Sequence, residues 1–203
     1  MRNEQPREFQ LVLTGEIESG EFPSFVEAAI VSYAIGSTNE LDWGLMAGSR
    51  TAKSQACMAT TNAIVWNVPI SCTFSSTTPR GWPRMELNVD TLDWRGRIVP
   101  FGAFTMLIPS QPGRYMREVH FMAPCSMSSW SFVSGWLIGR RSVFTQPDQR
   151  IASHHSVSSP ATVSQCSAKV RINLNILIKG NESLNLLFCY EALYFSLKII
   201  QPR

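Results

Sequence analysis

Apolar and polar residues alternate along much of the chain, and the clearest alternation lies between residues 62 and 93. The apolar positions in this stretch are Ile64, Trp66, Val68, Ile70, Cys72, Phe74, Met85, Leu87 and Val89. A period of two is typical of a β-strand with one buried face. Residues 75–84, which join the two alternating segments, are rich in Ser, Thr, Gly and Pro, as turns are. The pattern therefore predicts two strands that pair across a long turn.

Pro69 lies inside the first of these segments. Proline has no N–H to donate to a strand ladder, so this strand is expected to be an edge strand or to contain a bulge. The same alternation predicts further strands, at residues 9–18, 98–108, 114–123 and 162–179. Residues 25–35 are ambiguous between helix and strand, and their β-branched residues favour a strand. Residues 36–53 are loop-like.

Two segments depart from this pattern. In residues 126–139 the apolar residues Trp130, Val133, Trp136 and Leu137 recur at helical spacing, which predicts one short helix. Residues 184–200 are strongly apolar, with Glu191 and Lys198 as the charged residues. A length of about 20 apolar residues suits a membrane span. This shorter segment, with a carboxylate near its middle, instead favours a helix or strand docked on the body, or a poorly ordered tail.

Several strands at short spacing with one helix indicate an all-β fold, an antiparallel β-sandwich. Residues 1–8 are expected to be a flexible N-terminus, residues 9–179 the folded domain, and residues 180–203 an apolar C-terminal extension. A chain of 203 residues fits one domain with extensions.

Composition limits the classes of partner. Charged residues make up 16% of the chain, below the roughly 25% of an average protein, and the formal net charge is +3. This charge argues against a strongly basic nucleic-acid binder. A surface with few charges, rich in Ser, Thr, Asn and apolar groups, favours contacts with other proteins.

The cysteines and the N-terminus indicate an intracellular protein. The five cysteines are odd in number and show no metal-ligand or redox spacing, so we expect buried free thiols in a reducing compartment. The first eight residues are polar and do not resemble a signal peptide.

Catalytic and metal-binding patterns are weak. His154 and His155 are adjacent in a Ser-rich stretch, and His120 lies on a predicted strand, so none suggests a metal pair. The sequence contains no phosphate-binding loop and no nucleophile elbow. Asp90 and Asp93 bracket a turn, but calcium needs six to eight oxygen ligands, and a solvated turn is the simpler interpretation. We therefore predict no enzyme activity, no metal and no cofactor.

Tryptophan and arginine residues at turns and on the predicted helix are candidates for a partner interface, because these types are enriched at protein contacts. The candidates are Trp82, Trp94, Trp130, Trp136, Arg140 and Arg141. The alternative for Trp82 and Trp94 is that they fold back over the ends of the sandwich. The helix with Trp130 and Trp136 has the same ambiguity between packing on the body and contacting a partner.

An ordered series of motifs resembles the B9-domain family. The motifs are residues 13–19 with Phe22 and Pro23, residues 65–70 with Phe74, residues 81–83, 93–97, 101–102 and 108–113, and residues 136–147. The resemblance covers about residues 11–179. It implies that residues 9–179 form a C2-like domain, and the C-terminal extension matches nothing in the family pattern.

The resemblance also implies a non-enzymatic scaffold. Such proteins join the Meckel-syndrome complex with other B9-domain proteins and tectonic-type membrane proteins, and they support ciliogenesis, the ciliary diffusion barrier and Hedgehog signalling. The expected location is the cytoplasm and cytoskeleton at the base of the cilium, in the transition zone and basal body. The alternative is a calcium-independent C2-like module in peripheral contact with anionic membrane.

Overall fold

The computed structural model describes residues 8–37, 41–93, 95–124 and 163–180. This part of the chain is built from ten strands. They are β1 (Phe9–Glu21), β2 (Ala28–Gly36), β3 (Gly44–Gly48), β4 (Thr51–Lys53), β5 (Cys57–Met58), β6 (Ala63–Ser76), β7 (Arg84–Leu92), β8 (Ile98–Leu107), β9 (Gly113–Pro124) and β10 (Val163–Lys179). The strands predicted from the hydrophobic alternation are confirmed, including the ambiguous segment that became β2.

The strands form two antiparallel layers. Layer I has the order β3, β6, β1, β10 and β9, and layer II has the order β8, β7, β2 and β4, with β5 also paired to β2. The long ladders of β1 with β6 and β10 form the centre of layer I. The ladders of β7 with β2 and β8 form the centre of layer II.

The layers are joined along both sides. On one side, β8 meets β9 through the single residue pair Ala103 and Met122. On the other side, a tight turn carries the chain from β3 in layer I to β4 in layer II. The N–H of Ser49 donates to Ser71 O of layer I at 3.1 Å, and the N–H of Ile35 in layer II donates to Arg50 O at 2.8 Å.

The apolar faces of the two layers enclose one core. Its fully buried members come from both layers; the largest are Trp43, Phe9, Phe74, Phe121, Leu11, Leu13, Ile17, Ile64, Ile70, Met85, Leu87 and Ile108. Two side chains also bond across the layers. The indole N–H of Trp66 donates to Ala29 O at 3.1 Å, and the hydroxyl of Tyr33 donates to Pro69 O at 3.2 Å. These bonds supply partners for polar groups that the core removes from water.

The predicted pairing of the two most regular strands is wrong. β6 pairs with β1 and β3, whereas β7 pairs with β2 and β8, so residues 77–83 connect the two layers instead of turning within one. Alternation specifies that a strand has one buried face, but strands in opposite layers satisfy it equally well.

The prediction that residues 36–53 are loop-like is also wrong, because they contain β3 and β4. All five residues of β3 are exposed. An exposed edge strand needs no alternation of apolar and polar residues, since its place depends on backbone hydrogen bonds to β6. The hydrophobic pattern therefore carried no signal for it.

The prediction for Pro69 is confirmed in both of its forms. β3 pairs only with residues 72–75 of β6, so Pro69 lies where no described strand flanks that side of β6. Close by, the register to β1 shifts between Ile17 and Ser19, and Asn67 has a positive φ of 48°. A local bulge with one unpaired edge accommodates a residue that lacks an N–H.

Three sequence predictions fall outside the described residues. They are the short helix at residues 126–139, most of the N-terminal segment 1–8, and the apolar extension after Gly180. Within the described residues, no helix has the length and apolar character needed to cross a membrane.

The core predicts a clear difference between two neighbouring positions of β1. Leu13 is fully buried, whereas Thr14 points to the outer side of layer I. We expect Leu13→Ala to lower the free energy of unfolding by about 2–5 kcal/mol, because it leaves a cavity between the layers. Urea denaturation of the full chain measures the loss. Thr14→Ala is the control, expected to change the same quantity by less than about 0.5 kcal/mol; equal effects would contradict this assignment of the core.

Candidate interaction surface

Trp82 lies in an aromatic cluster at one end of the sandwich. Its ring centroid is 5.2 Å from that of Trp43 and 6.4 Å from that of Phe9. Its indole N–H donates to Ile108 O at 2.7 Å, and Ile108 N–H donates to Pro83 O at 3.1 Å. These contacts fix the connection between β6 and β7. Trp82 therefore folds back onto the end of the sandwich and keeps only part of its surface exposed.

Sequence reasoning missed the residue at the centre of this cluster, Trp43. It is almost completely buried, and its indole N–H donates to Arg80 O at 2.8 Å. The Arg50 guanidinium donates to Trp43 O at 2.8 Å and lies 5.5 Å from the centroid of the Phe74 ring. The available signal was a large aromatic residue in an otherwise polar, loop-like stretch, which by itself does not distinguish a core residue from a surface one.

The structure does not bring the six interface candidates together. Trp82 is the one that lies within the described residues. Trp94, Trp130, Trp136, Arg140 and Arg141 lie outside them. Their role as an interface is therefore a proposal.

The aspartates at the β7–β8 turn make contacts within the chain. Asp93 Oδ1 accepts hydrogen bonds from the backbone N–H groups of Arg95 and Arg97 at 2.9 and 2.8 Å, and Arg97 Nε donates to Asp93 Oδ2 at 2.8 Å. Desolvation raises the pKa of the Asp93 carboxyl, but these hydrogen bonds and the Arg97 charge outweigh it, so the pKa lies below its ordinary value. Asp90 pairs with Lys53 Nζ at 3.8 Å.

The histidine and cysteine side chains in the described part of the chain do not come together in one site. His120 is exposed on β9, and no group of three or more His, Cys, Asp or Glu side chains among the described residues is placed to hold a metal ion. Cys57 and Cys72 are free thiols. Burial raises the pKa of the Cys72 thiol to about 11, with Arg50 opposing the shift, so at neutral pH this thiol is protonated and a poor nucleophile.

Three large apolar side chains are exposed at the opposite end of the sandwich, and sequence reasoning did not single them out. Phe25, Met58 and Ile98 are 70%, 71% and 56% exposed. Met58 pairs with Ala28 at the start of β2, and Ile98 pairs with Leu92 beside the β7–β8 turn. Phe25 lies in the loop that leads into β2. We call these three residues the apolar tip.

The described residues thus define the class of protein, which is an all-β antiparallel sandwich. The aromatic and charged side chains in this part of the chain either pack within the domain or are exposed at its surface. Comparison with known proteins then gives the family. Residues 11–177 match the B9-C2 family model, described as "Ciliary basal body-associated, B9 protein".

Individual relatives agree with the family match. B9 domain-containing protein 1 of Xenopus laevis is 36% identical over 149 residues, which cover 70% of this chain and 72% of that protein. B9 domain-containing protein 1 of Mus musculus is 34% identical over 146 residues, 70% of each chain. Among solved structures, the first C2 domain of plant Extended Synaptotagmin 1 matches with a TM-score of 0.37 and 9% identity, over 85% of this chain and 96% of that domain.

The chain therefore belongs to the B9-C2 family of ciliary basal body-associated proteins. The sequence prediction of a C2-like antiparallel sandwich is confirmed by the strand pairings and by this membership.

The contacts of Trp82 predict a structural role that can be measured. We expect Trp82→Phe to lower the free energy of unfolding by about 1–3 kcal/mol, because the buried Ile108 carbonyl loses its donor. Tyr115→Phe is the matched control, since it removes an exposed hydrogen bond to Gln111 O of 2.9 Å. Urea denaturation compares the two variants. A Trp82→Phe effect no larger than that of Tyr115→Phe would show that the indole N–H contributes nothing.

Proposed function

We propose that this chain is a non-enzymatic scaffold subunit that acts by protein–protein contacts at the base of the cilium. Its partners are other B9-domain proteins, within the Meckel-syndrome complex and alongside tectonic-type membrane proteins. Through them it supports ciliogenesis, the ciliary diffusion barrier and Hedgehog signalling. It works in the cytoplasm and cytoskeleton of the transition zone and basal body.

The observation that carries this proposal is the family match across the whole sandwich, from residue 11 to residue 177. A match of this extent includes strands of both layers and the segments between them. It therefore favours a function that the entire domain serves. Assembly with a related domain is such a function, because it uses surface and needs no reactive centre.

The proposed interface consists of Trp82, Trp94, Trp130, Trp136, Arg140 and Arg141. Large aromatic and arginine side chains contribute most of the binding free energy in many interfaces, because they exclude water over a large area. Trp82 contributes the exposed part of its ring, since its N–H is already bonded to Ile108 O. The domain that presents these residues spans 9–179, between the 1–8 segment and the 180–203 extension.

We expect Trp136→Ala combined with Arg140→Ala to weaken binding to a second B9-domain protein by about 30-fold. This corresponds to the loss of about 2 kcal/mol that one hot-spot residue contributes. Co-precipitation of tagged full chains from ciliated cells, followed by titration of the purified pair, measures the change.

The matched control is Phe25→Ala combined with Arg117→Ala, which removes one aromatic residue and one arginine that are exposed and do not neighbour a candidate residue in the chain. It should bind the second B9-domain protein normally. Unchanged binding by a folded Trp136→Ala, Arg140→Ala variant would exclude this patch.

A second candidate function is peripheral membrane binding without calcium, and the apolar tip favours it. Phe25, Met58 and Ile98 present apolar surface at one end of the sandwich, and Ile98 borders the arginine-containing β7–β8 turn. Insertion of such side chains into the boundary of the acyl chains removes them from water. This stabilises the bound state by about 1.5–3 kcal/mol for each large side chain that is fully buried.

For this second function, we expect the full chain to sediment with phosphatidylserine-containing vesicles in a salt-sensitive and chelator-insensitive manner. Phe25→Ser combined with Met58→Ser should lower the partition coefficient at least about tenfold, because two insertion contacts are lost. Met116→Ser combined with Leu177→Ser is the control, since it removes two exposed apolar side chains from the outer side of layer I. Equal losses in both variants would contradict a specific role for the apolar tip.

A further inference from the structure

β3 has one side of its backbone without a neighbouring strand in the described part of the chain. It is the last strand of layer I and pairs with β6 alone. All five of its residues are exposed, and the large side chains Leu45 and Met46 are 38% and 60% exposed. Because the N–H and C=O groups of a strand alternate between its two sides, this edge presents hydrogen-bonding groups to a further strand.

The other edge strands of the described sandwich have features that oppose the addition of a strand. β4 and β5 are three and two residues long, and β4 ends at the exposed Lys53. β8 contains Pro100, and β9 exposes charged side chains, which are Arg114, Arg117 and Glu118. The part of β6 that β3 leaves unpaired contains Pro69, whose carbonyl accepts the Tyr33 hydroxyl. Short strands, charges and prolines each protect an edge.

β3 carries neither a charge nor a proline, since its sequence is Gly-Leu-Met-Ala-Gly. Its register to β6 shifts between Leu45 and Ala47, so Met46 has no counterpart in β6. A bulge can turn an edge away from further pairing, but it neither removes a donor nor repels a neighbour. Met46 therefore combines an exposed apolar side chain with a backbone that the ladder to β6 leaves unmatched.

The charges that flank β3 make it complementary to itself. Asp42 and Arg50 lie four residues before and four residues after Met46. An antiparallel pair of identical strands centred on Met46 therefore brings Asp42 of each copy towards Arg50 of the other. Arg50 is held at this place by its hydrogen bond to Trp43 O of 2.8 Å. Opposite charges across a strand pair are stabilising, and like charges are destabilising.

We infer that the β3 edge binds the β3 edge of a second copy of this chain in an antiparallel pair centred on Met46. This register pairs all five residues of the strand and places Met46 opposite its own copy. The arrangement is isologous, as in a two-fold dimer, so the same segment supplies both sides of the contact. A pair of five-residue strands is a small interface, and small interfaces give weak complexes.

Sedimentation equilibrium of the purified full chain measures this association. We expect the average molar mass to rise from one chain towards two chains between about 1 and 200 µM, as for a weak complex. Met46→Lys should raise the concentration of half-maximal association at least about fivefold, because two ammonium groups then face each other across the two-fold axis. Met58→Lys is the matched control, since it makes the same change at a methionine that is 71% exposed in layer II. It should leave the association unchanged.

A mixture of two variants tests the register. Met46→Lys and Met46→Glu each place like charges opposite one another, whereas a mixed pair places opposite charges there. The mixture should therefore associate more tightly than either variant alone. Restored association requires that both variants are folded, so the mixture also controls for damage by the substitutions.

Four outcomes would overturn the inference: a chain that stays monomeric over this range, an equal loss in Met58→Lys, no loss in Met46→Lys, or a mixture that associates no better than its components. A monomeric chain whose binding to a second B9-domain protein is weakened by Met46→Lys would assign the edge to that partner instead. The measurements use one purified chain, so failure here is distinct from failure of the proposed scaffold function.

Discussion

The structure depends on the burial of two apolar sheet faces. Each face is shielded from water by packing against the other. Every long strand has one apolar side, and a lone sheet would leave that side exposed. Formation of the sandwich removes polar groups near the core from water. Hydrogen bonds between the layers give these groups new partners. Trp66 and Tyr33 are large enough to reach from one layer to the backbone of the other, at Ala29 O and Pro69 O, so they link the layers while filling the space between them.

The two ends of the sandwich differ in how side chains cover them. At one end, Trp43, Trp82 and Phe9 pack edge to face or in parallel, and both indole N–H groups donate to backbone carbonyls. At the other end, Phe25 and Met58 remain exposed. The closed end stabilises the crossover between the layers. The open end leaves apolar side chains exposed.

The outer sides of the two layers also differ. Layer I exposes Met116 and Leu177 on a side that also carries the ion pair of Arg171 with Glu118. In layer II, the outward residues Ile30, Ala103 and Thr105 are buried.

The sequence by itself determined the long strands that have a buried side, namely β1, β2 and β6 to β10, because period-two alternation records which side chains leave water. It also determined that Pro69 must lie at an edge or a bulge, and that the ordered motifs belong to a B9 domain. It did not determine which strands pair: β6 and β7 have equally regular patterns, and only the packing of the layers places them apart. Nor did it identify β3, whose exposed residues are fixed by backbone hydrogen bonds alone, or distinguish the buried Trp43 from a surface tryptophan. Such choices depend on contacts between residues distant in the chain, and a pattern of neighbours carries no record of them.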